Sequence, residues 1–270
     1  MYSLFIECQE AEAELLSAEL WEQGASGIQE EPLPGKRLRL RAWFDDPSGL
    51  AQRFAQFRPR IEADPNIDWE LHTRQAWRAF EVGRRLYLAP EWDESATPVG
   101  RVRITIHPGM ALGTGAHPAT QLCLQALDKH LRPGETLLDL GTGSGILAAA
   151  ALRLGASKVV ACDIDPEAAA AARANLLRDA LPAGVFAGST RAIRSGGIDV
   201  IVANINSVTH ETLAQEYSRV ARRRLVLSGF PDRYLARIER AMKLAGFRPV
   251  DTLTRQEWIC MVLSRGAASD

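Results

Sequence analysis

A glycine-rich turn between an apolar strand and an alanine-rich helix constrains the fold of this chain more than any other feature. Residues 136–140 read Thr-Leu-Leu-Asp-Leu, and Gly141, Gly143 and Gly145 follow at alternate positions before the helical run 146–154. Since glycine has no Cβ, such a turn lets a ligand lie directly against the backbone. The pattern predicts an open α/β sheet whose ligand lies at the carboxyl ends of parallel strands.

The next predicted strand, 158–162, ends in an acidic residue that suits a nucleoside ligand. Asp163 stands about 20 residues after the first glycine of the turn, where a carboxylate accepts hydrogen bonds from both hydroxyls of a ribose. Nicotinamide enzymes and S-adenosylmethionine methyltransferases both use such an acid. A dinucleotide fingerprint has the spacing GxGxxG, whereas these glycines alternate, so the spacing favours S-adenosylmethionine. Asp165 is expected to cap a helix beginning at Pro166.

The remaining strands predict a seven-stranded Rossmann-like domain. The run 198–203 is a strand whose end places Asn204 over the ligand crevice, where its amide could bind an incoming amine or simply turn the chain. Position alone leaves both roles open, whereas Asn206 is expected to cap the next helix. The strands at 247–252 and 258–264 are separated by only a few residues, which predicts an antiparallel pair at the sheet edge. This final hairpin differs from the six-stranded dinucleotide fold.

The first seventy residues predict a smaller α+β domain. Its predicted elements are a strand at 2–8, a helix at 10–23, strands at 26–31 and 37–44, a helix at 47–57 and a strand near 68–72. This βαββαβ order predicts a ferredoxin-like domain over 1–73. Residues 74–97, with a short helix at 75–80 and a strand-like run at 84–89, are expected to link it to the α/β domain over 98–270, in which a second strand-like run covers 99–106.

Charge is balanced over the whole chain but not within it. The 270 residues hold 32 Lys+Arg and 33 Asp+Glu, a net charge of −1, which excludes a globally basic nucleic-acid binder. Up to Arg74 there are 8 basic and 14 acidic residues, a net −6, and the remainder holds 24 and 19, a net +5. The acidic part could steer a basic partner or could simply be a solvated surface. Nothing here requires direct binding of nucleic acid.

Signals for membranes, secretion and metals are absent from the sequence. No apolar stretch approaches 18 residues, and the N-terminus has no basic region of the kind that begins a signal peptide. The four cysteines are widely spaced, which predicts buried free thiols in a reducing compartment. The histidines lack metal-ligand spacing. We therefore expect a cytoplasmic, monomeric protein with no metal.

Further motifs resemble a known family. The segment 108–124, Pro-Gly-Met-Ala-Leu-Gly-Thr-Gly-Ala-His-Pro-Ala-Thr-Gln-Leu-Cys-Leu, is similar to the glycine-threonine-histidine-proline loop of PrmA-type methyltransferases, which methylate the eleventh protein of the large ribosomal subunit. Segments 139–145, 155–166 and 202–205 resemble the next motifs of that family in the same order. The loop at 113–120 is much more specific than the later motifs, which many methyltransferases share.

The resemblance implies a cofactor, a substrate and a set of binding residues. Thr120, Gly141, Asp163 and Asn204 are expected to contact S-adenosylmethionine, and the glycine turn adds Gly143. The implied acceptors are lysine side-chain and terminal amines of the ribosomal protein, recognised by the N-terminal domain. No catalytic residue is assigned from the sequence.

The chain departs from the family pattern at three positions. Asn206 stands where the family often has an apolar residue, and Ala116 and Ala119 replace hydroxylated residues. The alternatives are a methyltransferase of another protein or of a small molecule, a ribosome-binding module without catalysis and, more weakly, a nicotinamide oxidoreductase. His117, within the family loop, could pack, cap a helix or reach the site, and a structural role is expected in preference to acid–base work.

Overall fold

The chain divides into two compact units, residues 1–76 and 77–270. The computed structural model describes residues 2–63, 78–107 and 115–266. Each unit has a sheet and a hydrophobic core of its own.

The first unit is a four-stranded antiparallel sheet with helices between its strands. Its elements are β1 Tyr2–Gln9, α1 Glu10–Glu22, β2 Gly27–Leu33, β3 Arg37–Phe44, α2 Leu50–Arg53, a 3-10 turn Ala55–Phe57 and β4 Arg60–Ala63. The sheet order is β2-β3-β1-β4, and every neighbouring pair is antiparallel. β1 and β2 therefore run in the same direction with β3 between them, which is a split βαβ arrangement.

Alternation along β1 and β3 separates the two faces of this sheet. Leu4 and Ile6 of β1 and Leu40 of β3 face the core, where they meet Leu16 and Leu20 of α1. The intervening positions lie on the other face, because successive side chains of a strand point to opposite sides, and there Glu7 of β1 meets Arg37 and Arg39 of β3. Leu50 and Phe54, from the segment after β3, complete the core.

Two N-terminal elements differ from the sequence prediction or fall outside the description. The helix predicted over 47–57 is wrong in length, since it is reduced to α2 and a separate 3-10 turn. Gly49 enters α2 in the left-handed region at φ 80°, and Phe54 departs from helical geometry at φ −102°, ψ 20°. The strand predicted near 68–72 lies outside the described residues.

The second unit contains a seven-stranded sheet and a small three-stranded one. Its elements are β5 Phe80–Val82, β6 Leu86–Pro90, β7 Val102–Ile106, α3 Pro118–His130, β8 Thr136–Leu140, α4 Ile146–Arg153, β9 Lys158–Asp163, α5 Pro166–Arg178, β10 Ala183–Ala187, β11 Ile198–Asn204, α6 Ser207–Thr212, α7 Ala214–Val220, β12 Ala221–Pro231, α8 Leu235–Leu244, β13 Phe247–Arg255 and β14 Trp258–Arg265. The large sheet has the order β10-β9-β8-β11-β12-β14-β13. Its first five strands are parallel, and β14 is antiparallel to both neighbours.

Helices cover both faces of the large sheet, and its central strands β8 and β11 are accordingly largely buried, whereas the edge strand β13 is mostly exposed. Leu137 belongs to the core under α3, α4 and α5, whereas the adjacent Leu138 belongs to the core under α7 and α8. The strand order reverses between β8 and β11, and an open α/β sheet binds its ligand at such a point, outside the carboxyl ends of the strands. The glycine turn lies at this position.

The segment predicted as a linker, 74–97, contains two of the strands. β5 pairs antiparallel with β6, and β6 pairs parallel with β7. Every residue of β6 is buried, and Leu86 and Leu88 belong to the core under α3 and α4. The helix predicted over 75–80 is wrong at its end, because Phe80 begins β5; residues 75–77 lie outside the description.

The structure also bears on the cysteines and on the possibility of a membrane-spanning helix. All four cysteines are buried and carry free thiols, as predicted. Among the helices that the structure describes, none has the length and apolar character needed to cross a bilayer.

A buried histidine fixes the packing of α6 against β12. His210 Nε2 lies 2.8 Å from the carbonyl oxygen of Ser228, so Nε2 donates, and Nδ1 lies 3.0 Å from the hydroxyl of Tyr217, which donates to it. Burial lowers the pKa of His210 to about 4, so the imidazole is neutral in the folded protein at neutral pH.

We expect His210 to make the protein sensitive to acid. Because its pKa is lowered by folding, the unfolded chain binds a proton below about pH 6.5 that the folded chain excludes down to about pH 4. Its contribution to stability is therefore complete above pH 6.5 and falls by about 3 kcal/mol on acidification to pH 4. The measurement is urea unfolding of the wild type and His210→Gln at pH 7 and pH 4.5.

The matched control is Tyr217→Phe, which removes one hydrogen bond and keeps the buried imidazole. It should lower stability at every pH and retain the acid sensitivity. An identical pH dependence in the wild type and in His210→Gln would contradict the assignment.

Candidate active site

The glycine turn after β8 brings the backbone close to a second loop. Gly141 has φ 70°, and a Cβ added there would lie 2.5 Å from Cγ2 of Ile205. Gly145 has φ 86° and begins α4 as its N-cap, against Ala172 of α5. Side chains at these positions are excluded both by the left-handed backbone and by their neighbours. The turn therefore presents bare backbone to the crevice.

Asp163 at the end of β9 is tied directly to this turn. Its Oδ2 accepts a hydrogen bond from the backbone N–H of Gly143 at 3.0 Å, and its Oδ1 accepts from the N–H of Asp165 at 3.1 Å. Asp165 in turn accepts from the N–H of Glu167 at 2.9 Å and caps α5, as predicted. Two of the predicted cofactor residues, Asp163 and Gly143, are thus in contact.

Asn204 and Thr120 form the second contact between predicted residues. Asn204 Nδ2 donates to Thr120 Oγ1 at 3.0 Å, although the two are far apart in sequence. Thr120 is almost completely buried in the first turns of α3. The Asn204 amide is therefore held by a residue of α3, and its binding of an incoming amine stays a prediction. Asn206 caps α6 by accepting from the N–H of Thr209 at 2.9 Å, as predicted.

His117 has the structural role expected for it and a ring contact that was not expected. Its Nδ1 accepts from the N–H of Ala119 at 3.2 Å and caps α3. Its imidazole packs edge to face on the indole of Trp258, with ring centroids 4.6 Å apart. Burial lowers the pKa of His117, and the carboxylate of Glu257 acts in the opposite direction.

Asp139 is the site residue to which the sequence assigned no role. It is completely buried at the end of β8; its Oδ2 accepts from Thr142 Oγ1 at 2.7 Å and from the N–H of Ala148 at 3.0 Å. Among the described residues its Oδ1 has no hydrogen-bond partner. Burial raises its pKa to about 6, against the hydrogen bonds from Thr142 and Ala148. An acid inside an otherwise apolar strand was the available signal.

The described residues contain no group of three His, Cys, Asp or Glu side chains placed to hold a metal ion. The chemistry of the site therefore has to be read from the glycine turn, two carboxylates and an amide.

Comparison with known proteins identifies the chain's relatives. The family described as "Ribosomal protein L11 methyltransferase (PrmA)" matches residues 37–266. A protein of that name from Myxococcus xanthus is 33% identical over 284 aligned residues, covering 97% of this chain and 98% of its own length. One from Symbiobacterium thermophilum is 38% identical, covering 84% of this chain and 75% of its own. A crystal structure of "ribosomal protein L11 methylase" from Lactobacillus delbrueckii subsp. bulgaricus is 31% identical, with TM-score 0.63, over 71% of this chain and all of that one.

Fold and site together define an α/β S-adenosylmethionine-dependent methyltransferase. The order of the strands, the switch point and the glycine turn with its following acid all agree with that class. Within it, the chain belongs to the ribosomal protein L11 methyltransferase (PrmA) family. The predicted family and the predicted cofactor are confirmed.

The residues present fit S-adenosylmethionine, which carries an ammonium, a sulfonium and an adenosine group. Asp139 Oδ1 is buried and has no hydrogen-bond partner among the described residues, so it can accept from a cationic group such as the ammonium of the cofactor. Without a ligand, burial of an ionised oxygen that makes no hydrogen bond is costly. The glycine turn leaves room against the backbone, and the carboxylate of Asp163 remains partly accessible beside it. These groups would hold the cofactor at the switch point.

We expect Gly229→Ala to damage the site more than Gly246→Ala. Gly229 has φ 93°, and an added Cβ would lie 2.4 Å from the backbone oxygen of Ile205 and 2.7 Å from its nitrogen, so the loop after Asn204 would have to move. Gly246 has φ 89°, but no described atom lies within 4 Å of its added Cβ, so the substitution there costs only the left-handed strain of about 1–2 kcal/mol.

Urea unfolding and calorimetric titration with S-adenosylmethionine check this pair of variants. The expected result is a larger loss of stability and weaker cofactor binding for Gly229→Ala. Equal effects of the two substitutions would show that the close approach to Ile205 is unimportant.

We expect cofactor affinity to rise with pH through the pKa of Asp139. A cationic ligand favours the ionised carboxylate, and with a pKa of about 6 that form is the minor one at pH 5. Binding of S-adenosylmethionine should therefore weaken by up to about tenfold between pH 7 and pH 5. Asp139→Asn should bind weakly and without this dependence, whereas Asp165→Asn should keep it, since asparagine also caps α5. Calorimetric titration with S-adenosylmethionine between pH 5 and pH 7 measures this affinity. A wild-type affinity that does not change with pH would contradict the role given to Asp139.

Proposed function

We propose that this chain is a protein N-methyltransferase that transfers methyl groups from S-adenosylmethionine to amino groups of the ribosomal protein L11. The observation that carries the proposal is that four motifs separated in sequence meet in one site, through the contacts Thr120–Asn204 and Gly143–Asp163. It is supported by relatives named ribosomal protein L11 methyltransferase that match nearly the whole length of the chain. Thr120, Gly141, Gly143, Asp163 and Asn204 are the proposed cofactor-binding residues. Lysine side chains and the terminal amine are the proposed acceptors.

The chemistry asked of the protein is alignment and exclusion of water. When bound, S-adenosylmethionine supplies an already activated methyl group. The lysine amine has an ordinary pKa of about 10.4 and must lose a proton before its lone pair can attack. Because Asn204 Nδ2 donates to Thr120, the amide oxygen of Asn204 is directed to accept from an amine N–H and to orient its lone pair. The hydrogen bond thus fixes which end of the amide faces the acceptor.

The first unit is proposed to recognise the substrate. Its element order and its sheet order β2-β3-β1-β4 support a ferredoxin-like domain, assigned to residues 1–73, with a connector at 74–97 and the methyltransferase domain at 98–270. On the outer face, Arg37 and Arg39 pair with Glu7 at 2.7 and 2.9 Å, and the net charge of the unit already counts all three groups. A net charge of −6 up to Arg74 suits a basic ribosomal protein. We propose a cytoplasmic monomer.

A departure from the family pattern has a structural explanation. Asn206 stands where the family often has an apolar residue, and it caps α6. It therefore gives no support to a different substrate. The intact glycine turn and Asp163 likewise favour an enzyme over a ribosome-binding module without catalysis.

The test is incubation of the purified protein with S-adenosylmethionine and purified ribosomal proteins, followed by intact-mass analysis. We expect methyl-sized mass increments on L11. Asn204→Ala should lower the transfer by about one hundredfold, since misplaced reacting groups lose alignment. Asn206→Asp, which preserves the cap, should leave it unchanged.

Two negative outcomes have different meanings. Cofactor binding by calorimetry without transfer to L11 would overturn the proposed substrate. Absence of cofactor binding would overturn the enzyme assignment itself.

A further inference from the structure

An indole and an imidazole meet at the start of α3, the helix that carries Thr120. The rings of Trp258 and His117 lie edge to face, with centroids 4.6 Å apart and planes inclined at 74°. Trp258 is the first residue of β14, and His117 is the N-cap of α3. Thr120 lies in the first turn of the same helix, so the ring pair and the proposed cofactor site are fixed by one rigid element.

Strand register places this ring pair at the rim of the crevice. Asn204 ends β11 and pairs with Ser228, whereas β12 continues to Pro231, which pairs with Trp258. β12 and β14 therefore extend beyond the end of β11. They form a wall on the side of the crevice where Asn204 lies, and Trp258 stands in it partly exposed.

The charges around the ring pair include one carboxylate and one guanidinium. Glu257 is exposed, and its carboxylate acts on His117 strongly enough to oppose the lowering of that pKa. Arg255 stands opposite Trp258 in the hairpin and donates to the side-chain oxygen of Gln121 in α3. The guanidinium is thus held by a partner on α3, while the carboxylate is exposed at the rim.

The imidazole itself is uncharged at neutral pH. Its Nδ1 accepts the N–H of Ala119, so its proton is on Nε2, and burial lowers the pKa of His117. A neutral imidazole does not repel a cation bound beside it. An indole, a neutral imidazole and a carboxylate together have the chemistry that binds an alkylammonium group.

We propose that Trp258, His117 and Glu257 form the subsite for the alkylammonium head of the acceptor side chain. The inference rests on the proposed function and names the residues that position its substrate. The indole attracts a cation through its ring face, which needs no N–H donor, so the attraction persists when methyl groups replace the amine hydrogens. These are positioning residues that act on binding.

Substitutions separate acceptor binding from cofactor binding. Trp258→Leu should raise the acceptor KM about tenfold, and Trp258→Phe should raise it less, because a smaller aromatic face remains. His117→Asn keeps the helix cap and removes the ring, and it should raise the acceptor KM as well. Glu257→Gln should raise it about two- to threefold, with Glu239→Gln, an exposed acid on α8, as the unchanged control. The Kd for S-adenosylmethionine should stay within about twofold in all of them.

If these residues had only a structural role, their substitution would lower stability and change both the acceptor KM and the Kd for S-adenosylmethionine. A change in the acceptor KM alone therefore indicates a role in acceptor binding. If Trp258→Leu fails to fold, His117→Asn and the surface variant Glu257→Gln carry the same test. An acceptor KM that is unchanged in the variants that fold overturns the subsite.

A second measurement needs no turnover. Tetramethylammonium chloride is titrated into cofactor-saturated wild type and His117→Asn, which keeps the indole, and the indole N–H resonance of Trp258 is followed by NMR, with sodium chloride at equal concentration as control. We expect a saturable shift of that resonance and weaker binding to the variant. No shift would overturn the subsite even if methyl transfer to L11 is observed, and a shift without transfer would overturn only the proposed function.

Discussion

The site depends on a close approach of the loop after β11 to glycines on both neighbouring strands. The backbone of Ile205 lies so near Gly229 that a Cβ there would overlap it, and the side chain of Ile205 occupies the space that a Cβ at Gly141 would need. Such an arrangement leaves the loop a single position. Asn204 therefore reaches Thr120 on α3, and the proposed cofactor-binding turn and the proposed acceptor side are fixed relative to each other.

Two buried ionisable groups, His210 and Asp139, belong to the same region, and burial shifts their pKa values in opposite directions. His210 is kept neutral by burial while it donates to the carbonyl of Ser228, the residue paired with Asn204. Burial raises the pKa of Asp139 to about 6; one of its carboxylate oxygens accepts hydrogen bonds and the other has no described partner. The first group stabilises the scaffold, whereas the second stores a desolvation cost that a cation can relieve. Stability and ligand affinity thus respond to pH through different residues.

Much of the fold followed from local pattern, because strands, turns and caps are short-range features. The glycine turn, the acid after β9, the caps at Asp165 and Asn206 and the final antiparallel pair are all encoded within a few residues. The length of α2 was predicted wrongly because Gly49 adopts a left-handed conformation at its start and Phe54 departs from helical geometry at its end. The strand-like run at 84–89 was visible in the sequence, whereas the burial of β6 comes from helices distant in sequence.

The sequence by itself determined the class of ligand and the family, because glycine spacing, a following acid and an ordered set of motifs are properties of the chain read in one dimension. Only the tertiary structure showed that the amide of Asn204 donates to Thr120 of α3. It also decided the importance of Asp139, whose burial alone makes it a strong acceptor, and the meeting of His117 with Trp258. These depend on contacts between residues far apart in the chain, and no local pattern records which side chains a fold will bring together.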